Sequence, residues 1–116
     1  MHEMALMQDV IAVVEEDAKR MGIKKVKKME LIVGDLSNVL PDALLMAFSI
    51  YKADGSTLLT NDAQLIISRE KAKAQCSSCK DTYVPGYKLS ICPKCEKPNG
   101  ELIEGETFAV YSYEGS

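Results

Sequence analysis

Four cysteines constrain this chain more than any other feature. They fall in two close pairs, Cys76-x2-Cys79 and Cys92-x2-Cys95, with twelve residues between the pairs. Two residues between thiolates let a tight turn aim both sulfurs at one ion, and two such turns complete the closed tetrahedron of structural zinc. Pro93 inside the second pair fixes a turn that has no use for its missing N–H. Pro85 and Gly86 let the hairpin between the pairs reverse. A segment this short owns no hydrophobic core, so its folding energy has to come from the metal, at about 10–16 kcal/mol. Two disulfides or a redox Cys-x-x-Cys are the competing readings, and both suit this spacing poorly in a reducing compartment. Iron in a rubredoxin-like site would use the same four ligands. A closed site keeps no open coordination position, so no catalysis is assigned to it.

The remaining chain must build a core of its own, and 47% of the sequence is apolar. Met4, Met7, Ile11, Val14, Ala18 and Met21 recur at steps of three and four, which predicts an amphipathic helix of about 18 residues stopped by Gly22. Residues 24–33 read as a strand with Met29, Leu31 and Val33 on one face. Pro41 opens a second helix, with Leu44, Leu45, Phe48 and Tyr51 on its buried face and Asp54-Gly55 at its end. Residues 63–70 read as a second strand, with Leu65 and Ile67 opposed to Ile66 and Ser68. After a turn at Pro98-Asn99-Gly100, residues 106–113 read as a third, with Phe108 and Val110 on one face. That strand is expected to rejoin the sheet, because two strands under two helices are marginal. The fold class that follows is α+β: two helices packed on a three-stranded sheet, with an inserted four-cysteine zinc ribbon. The expected domains are 1–75, completed by a strand within 100–116, and a zinc ribbon over 76–99.

Several functional classes are disfavoured. The formal net charge of −3 gives no broad attraction for nucleic acid or anionic membrane. No run of apolar residues is long enough to span a bilayer, and the amphipathic start is no signal peptide, so a cytoplasmic protein is expected. There is no nucleophile–base pair and no phosphate loop, so the chain does not read as an enzyme. Lys19, Arg20, Lys24, Lys25, Lys27 and Lys28 cluster around one turn, either as a solvated face or as a docking patch for an acidic partner. Lys80, Lys88, Lys94 and Lys97 with Tyr83 and Tyr87 lack the arginine of a nucleic-acid ribbon. The six methionines read mainly as core filling.

The only histidine is His2, beside the chain start. A terminal amine, the amide nitrogen of residue 2 and its imidazole can close nearly coplanar chelate rings around one ion. Such a donor set suits Ni(II) or Cu(II) and suits tetrahedral Zn(II) poorly. A bulky second residue also keeps Met1 in place, and Glu3 adds a carboxylate beside the site. The competing reading is a solvated histidine with no ligand.

The order of features is distinctive: Met-His-Glu at the start, an amphipathic helix, a strand ending in VGDLS (33–37), a helix with AF (47–48), then the two cysteine pairs. In that order and over essentially its whole length, the chain resembles the HypA/HybF family of hydrogenase maturation proteins. The resemblance implies a nickel metallochaperone that works with the GTPase HypB. It would deliver Ni(II) to the [NiFe]-hydrogenase large subunit and, in some organisms, serve urease maturation. Carried over by residue, His2 is the essential nickel ligand and Met1 supplies its amine. Glu3 contributes nearby or contacts a partner, and Cys76, Cys79, Cys92 and Cys95 hold zinc. Some members carry a further histidine near the ribbon, and this chain has none. Some use a carboxylate after the first strand, where this chain has Asp35 and Asp42. No nucleic acid or membrane partner is expected. A monomer and a ribbon-swapped dimer are both compatible with the sequence. The reading from another class is a zinc-ribbon interaction or nucleic-acid-binding adaptor without a nickel role.

Overall fold

The computed structural model describes residues 2–85, 91–96 and 100–116. The N-terminal apolar stripe winds into helix α1 (Glu3–Arg20), which buries Met7, Val10, Ile11, Val14 and Ala18. Two methionines expected on that stripe lie off it: Met4 is 41% exposed and Met21 70%. Met21 caps the last turn, and the stripe's first position, one turn before Met7, belongs to Glu3, which is buried. The helix ends where Gly22 takes φ +75, and the Ile23 N–H turns back to the Ala18 carbonyl at 2.8 Å.

Strand β1 (Val26–Gly34) is the middle of the main sheet, which is why Val26, Met29, Leu31 and Val33 are at most 1% exposed. Helix α2 (Pro41–Asp54) starts on Pro41, ends at left-handed Gly55 and crosses over to strand β2 (Leu59–Glu70), parallel to β1. It buries Leu44, Ala47 and Phe48. Leu45, expected on that face, is 42% exposed, and Tyr51 is half-buried. Strand β2 begins four residues before the expected start, at Leu59. Polar Asn61 and Asp62 sit in an irregular stretch of the register, so they hide the strand in the sequence.

The last strand, numbered β6 (Phe108–Gly115) because three short strands precede it, lies antiparallel on the other side of β1. The expected return of the chain to the sheet is therefore observed, with strand order β2-β1-β6. Leu31 pairs with Val110 while its neighbour Glu30 pairs with Ser112, so Tyr111 is an extra residue, a bulge. The bulge resets the alternation and returns Tyr113 to the core side with Phe108 and Val110. There the Tyr113 hydroxyl donates to Asp17 of α1.

Between β2 and β6 the chain forms a second sheet: β3 (Lys73–Cys76), β4 (Thr82–Tyr83) and β5 (Gly100–Glu104), in the order β4-β3-β5. The chain leaves the main sheet through Lys71 and Ala72 and returns through Gly105. At that junction two backbones nearly touch. A Cβ on Gly34 would stand 2.1 Å from the Gly105 carbonyl oxygen, and Gly105 itself has φ +119. The expected turns at Gly86 and at Pro98-Asn99 lie outside the described residues.

Candidate metal centre

The two cysteine pairs are built alike. Cys76 ends β3, and the Lys80 N–H returns to its carbonyl at 3.0 Å. The Glu96 N–H returns to the Cys92 carbonyl at 2.8 Å. Lys80 and Glu96, each one residue past its pair, take left-handed φ values of 64 and 55. Each pair therefore closes as one tight knuckle that turns both sulfurs the same way. The Cys76 and Cys95 sulfurs lie 3.7 Å apart, as do those of Cys79 and Cys92. All four ligand atoms fall within 4.8 Å of one another. A tetrahedron with metal–sulfur bonds of about 2.3 Å has edges of about 3.8 Å. The cluster matches that size, and an all-sulfur donor set suits zinc.

The surroundings prepare the same site electrostatically. Cys76 and Cys92 are fully buried, Cys95 is half-buried and Cys79 is exposed. Backbone N–H donation from Cys79 and Ser78, with help from the neighbouring thiols, brings the Cys76 thiol down to about 6. The hydrogen bond with Cys76, then Cys79 and burial, push Cys95 up to about 12. One thiolate forms easily and the next is resisted by its charge. A bound dication removes that resistance by stabilising all four. Lys94, inside the second knuckle, pairs with Asp81 just past the first, tying the two together. Tyr83 of β4 holds a buried hydroxyl with no hydrogen-bond partner among the described residues. Burial first, then the charges of Cys92, Cys76 and Cys79, push that phenol upward.

The other end of interest is the start of α1. His2 is exposed at the N-cap, where its carbonyl accepts the Leu6 N–H at 2.9 Å and its ring makes no capping bond. It lines a cleft of ≈ 460 Å³ between α1 and α2 with Glu3, Met4, Met46 and Ile50 among the walls. Glu3 is only 8% exposed, and its Oε2 accepts the Leu40 N–H at 3.2 Å, at the head of α2. The Tyr51 hydroxyl adds a second tie, donating to the Met4 carbonyl at 3.0 Å. These bonds leave the imidazole outside and fasten the residues behind it. Met1 lies outside the described residues. Asp35 is held by Arg69, at 3.1 Å from Nε and 2.9 Å from Nη2. Asp42 opens on an adjoining cleft with Leu40, Met46 and Arg69. Met46, 68% exposed, borders both clefts; it stands off the helix's apolar stripe and gave no signal in the sequence.

Residues 1–115 match the family described as hydrogenase/urease nickel incorporation, metallochaperone, hypA. The hydrogenase maturation factor HypA of Moorella thermoacetica is 34% identical over 115 residues, which is 99% of this chain and 99% of that protein. The HypA of Desulfitobacterium hafniense is 36% identical over 115 residues, covering 98% of this chain and 97% of its own. The solution structure of the Ni metallochaperone HypA from Helicobacter pylori superposes with a TM-score of 0.68 at 27% identity. That match covers 99% of this chain and 97% of the other. A further solution structure of HypA protein gives a TM-score of 0.71 at 26% identity, covering 100% and 97%.

Proposed function

The chain belongs to the HypA family of hydrogenase and urease nickel-incorporation metallochaperones, and from that premise we propose that it grips Ni(II) at its own first residues. Its function is nickel delivery in hydrogenase maturation; it is a carrier and not an enzyme. His2 supplies the imidazole, Met1 the amine, and backbone amide nitrogen completes a flat donor set suited to Ni(II). The observation that carries this reading is the family match from residue 1 to residue 115, which takes in both the terminus and the cysteine pairs. The exposed position of His2 supports it, because a carrier must present its cargo. Glu3 holds the terminus to the head of α2 through one carboxylate oxygen and is a nearby contributor to the site.

Zinc is the resident ion, held by Cys76, Cys79, Cys92 and Cys95, and its chemistry here is structural. With four thiolates around it, no position remains for substrate. We assign the main sheet with its two helices to the nickel-binding domain, and the ribbon, expected over 76–99, takes in the flanking strands β3 and β5 as well. The proposed partners are the GTPase HypB and the large subunit of a [NiFe]-hydrogenase, in the cytoplasm. Among the described residues no helix is long and apolar enough to cross a membrane. A zinc-ribbon adaptor without a nickel role is not favoured by relatives that match end to end as maturation factors.

Extending the chain by residues ahead of Met1 tests the reading. The amine becomes an amide and the flat donor set is broken. Nickel titration of the extended protein is expected to show loss of the site while zinc content stays the same. Equal nickel affinity with and without the extension would refute it.

A further inference from the structure

Glu70 is the last residue of β2, where the chain leaves the main sheet for the ribbon. Its Oε1 accepts the Gly105 N–H at 2.7 Å and the Thr107 N–H at 3.4 Å, on the segment by which the chain comes back. One carboxylate thus joins both roots of the ribbon. The same two roots also carry the loop after β1. The Glu70 carbonyl accepts the Asp35 N–H at 2.9 Å, and the Gly105 carbonyl accepts the Leu36 N–H at 2.8 Å.

From that junction the loop is fixed link by link. The Ser37 N–H and hydroxyl both donate to the Gly34 carbonyl, at 3.1 and 2.8 Å. The Val39 N–H donates to the Ser37 hydroxyl at 3.3 Å, and the Val39 side chain is 8% exposed in the core. Asn38 takes φ 62, the tight bend the loop needs. Leu40 follows Val39, and its N–H holds Glu3.

We propose that Glu70 is a positioning residue for the nickel terminus: by clamping the ribbon's two roots it sets loop 35–40, and that loop sets Glu3 and hence His2. The proposal rests on nickel binding at His2. Hydrogen bonds, that from the Gly105 N–H foremost, hold the Glu70 carboxyl below the usual carboxylate range, so it is ionised at neutral pH and the bonds are charge-assisted. The side chain acts by reaching two N–H groups, and its charge strengthens those bonds rather than acting on nickel directly.

The test uses full-length, zinc-loaded protein with its native terminus, titrated with Ni(II) against a competing chelator, with zinc content measured in parallel. Glu70→Ala and Glu70→Asp lose the reach and are expected to weaken nickel binding by roughly fivefold or more. Glu70→Gln keeps an acceptor oxygen at the same reach but gives up the charge assistance, and is expected to lose clearly less nickel affinity than Glu70→Ala. Ser37→Ala removes the hydroxyl that links the Gly34 carbonyl to the Val39 N–H, loosening the loop between the ribbon roots and Leu40, and is expected to weaken nickel with zinc unchanged, a result that does not depend on how well the Glu70 variants fold. The extended-terminus protein runs as a control. If it binds nickel normally, the terminal site itself falls and the proposal with it. If the control loses nickel while Glu70→Ala and Ser37→Ala bind it like wild type, only the proposal falls. Equal losses in Glu70→Gln and Glu70→Ala would also overturn it.

Discussion

Glu3 sits at the start of an apolar stripe, one turn before Met7, yet it carries a carboxylate. The carboxylate is tolerated because one oxygen meets the Leu40 N–H, 37 residues away in sequence. Glu3→Ala leaves that N–H without its partner and should cost about 0.5–1.5 kcal/mol in chemical denaturation. Glu3→Gln, still an acceptor, should cost much less; equal losses would mean the bond is not what Glu3 contributes. The four-cysteine cluster was legible in the sequence because thiolate metal sites depend on residue type and short spacing, and the fold brings those sulfurs together. The tie at Glu3 was not legible, because its partner is a backbone N–H whose position only the fold decides. Met4 and Met21 show the reverse case: apolar residues at helical spacing that the helix ends leave exposed.

Among the elements, both helices and the strands of the main sheet follow from periodicity and from Pro41, Gly22 and Gly55. The second sheet does not. Its strand β4 has two residues, too few for any alternation to register. The bulge at Tyr111 was hidden for a related reason. Alternation continued past Val110 would put Tyr113 on the outer face, and only pairing with Glu30 and Leu31 resets it. The reset has a measurable consequence. The Tyr113 hydroxyl first, and Arg20 after it, lower the Asp17 carboxyl. A carboxyl lowered by folding lends stability above its unfolded value, about 3.9, and loses it as pH falls through the lowered one. Asp17→Asn should therefore flatten the pH dependence of stability below about pH 4, followed by denaturant midpoints; an unchanged slope would dissociate Asp17 from it. Two glycines provide a further contrast. Gly34→Ala drives a Cβ against the Gly105 carbonyl and should cost at least about 2 kcal/mol. Gly22→Ala meets nothing within 4 Å and strains only φ +75, so its cost should be nearer about 1 kcal/mol. Similar losses at the two sites, read from the same denaturation curves, would contradict the close approach at the junction.

As a whole, the molecule measures 53 × 26 × 18 Å and has two differently sustained parts. The main sheet and its helices share one apolar core, whereas the small sheet is organised around four sulfurs. A strong chelator should therefore unfold the ribbon and spare the body. Amide signals of Cys76 and Thr82 should collapse while those of Met29 and Leu31 stay; loss of all of them together would mean a single cooperative unit. The proposed nickel site lies in the other part, at the exposed start of α1. The most direct measurement is a Ni(II) titration of native-terminus protein beside His2→Gln, with zinc counted in both. The expected result is one tight nickel site in the first, none in the second, and one zinc per chain throughout. Undiminished nickel uptake by His2→Gln would contradict the account at its centre.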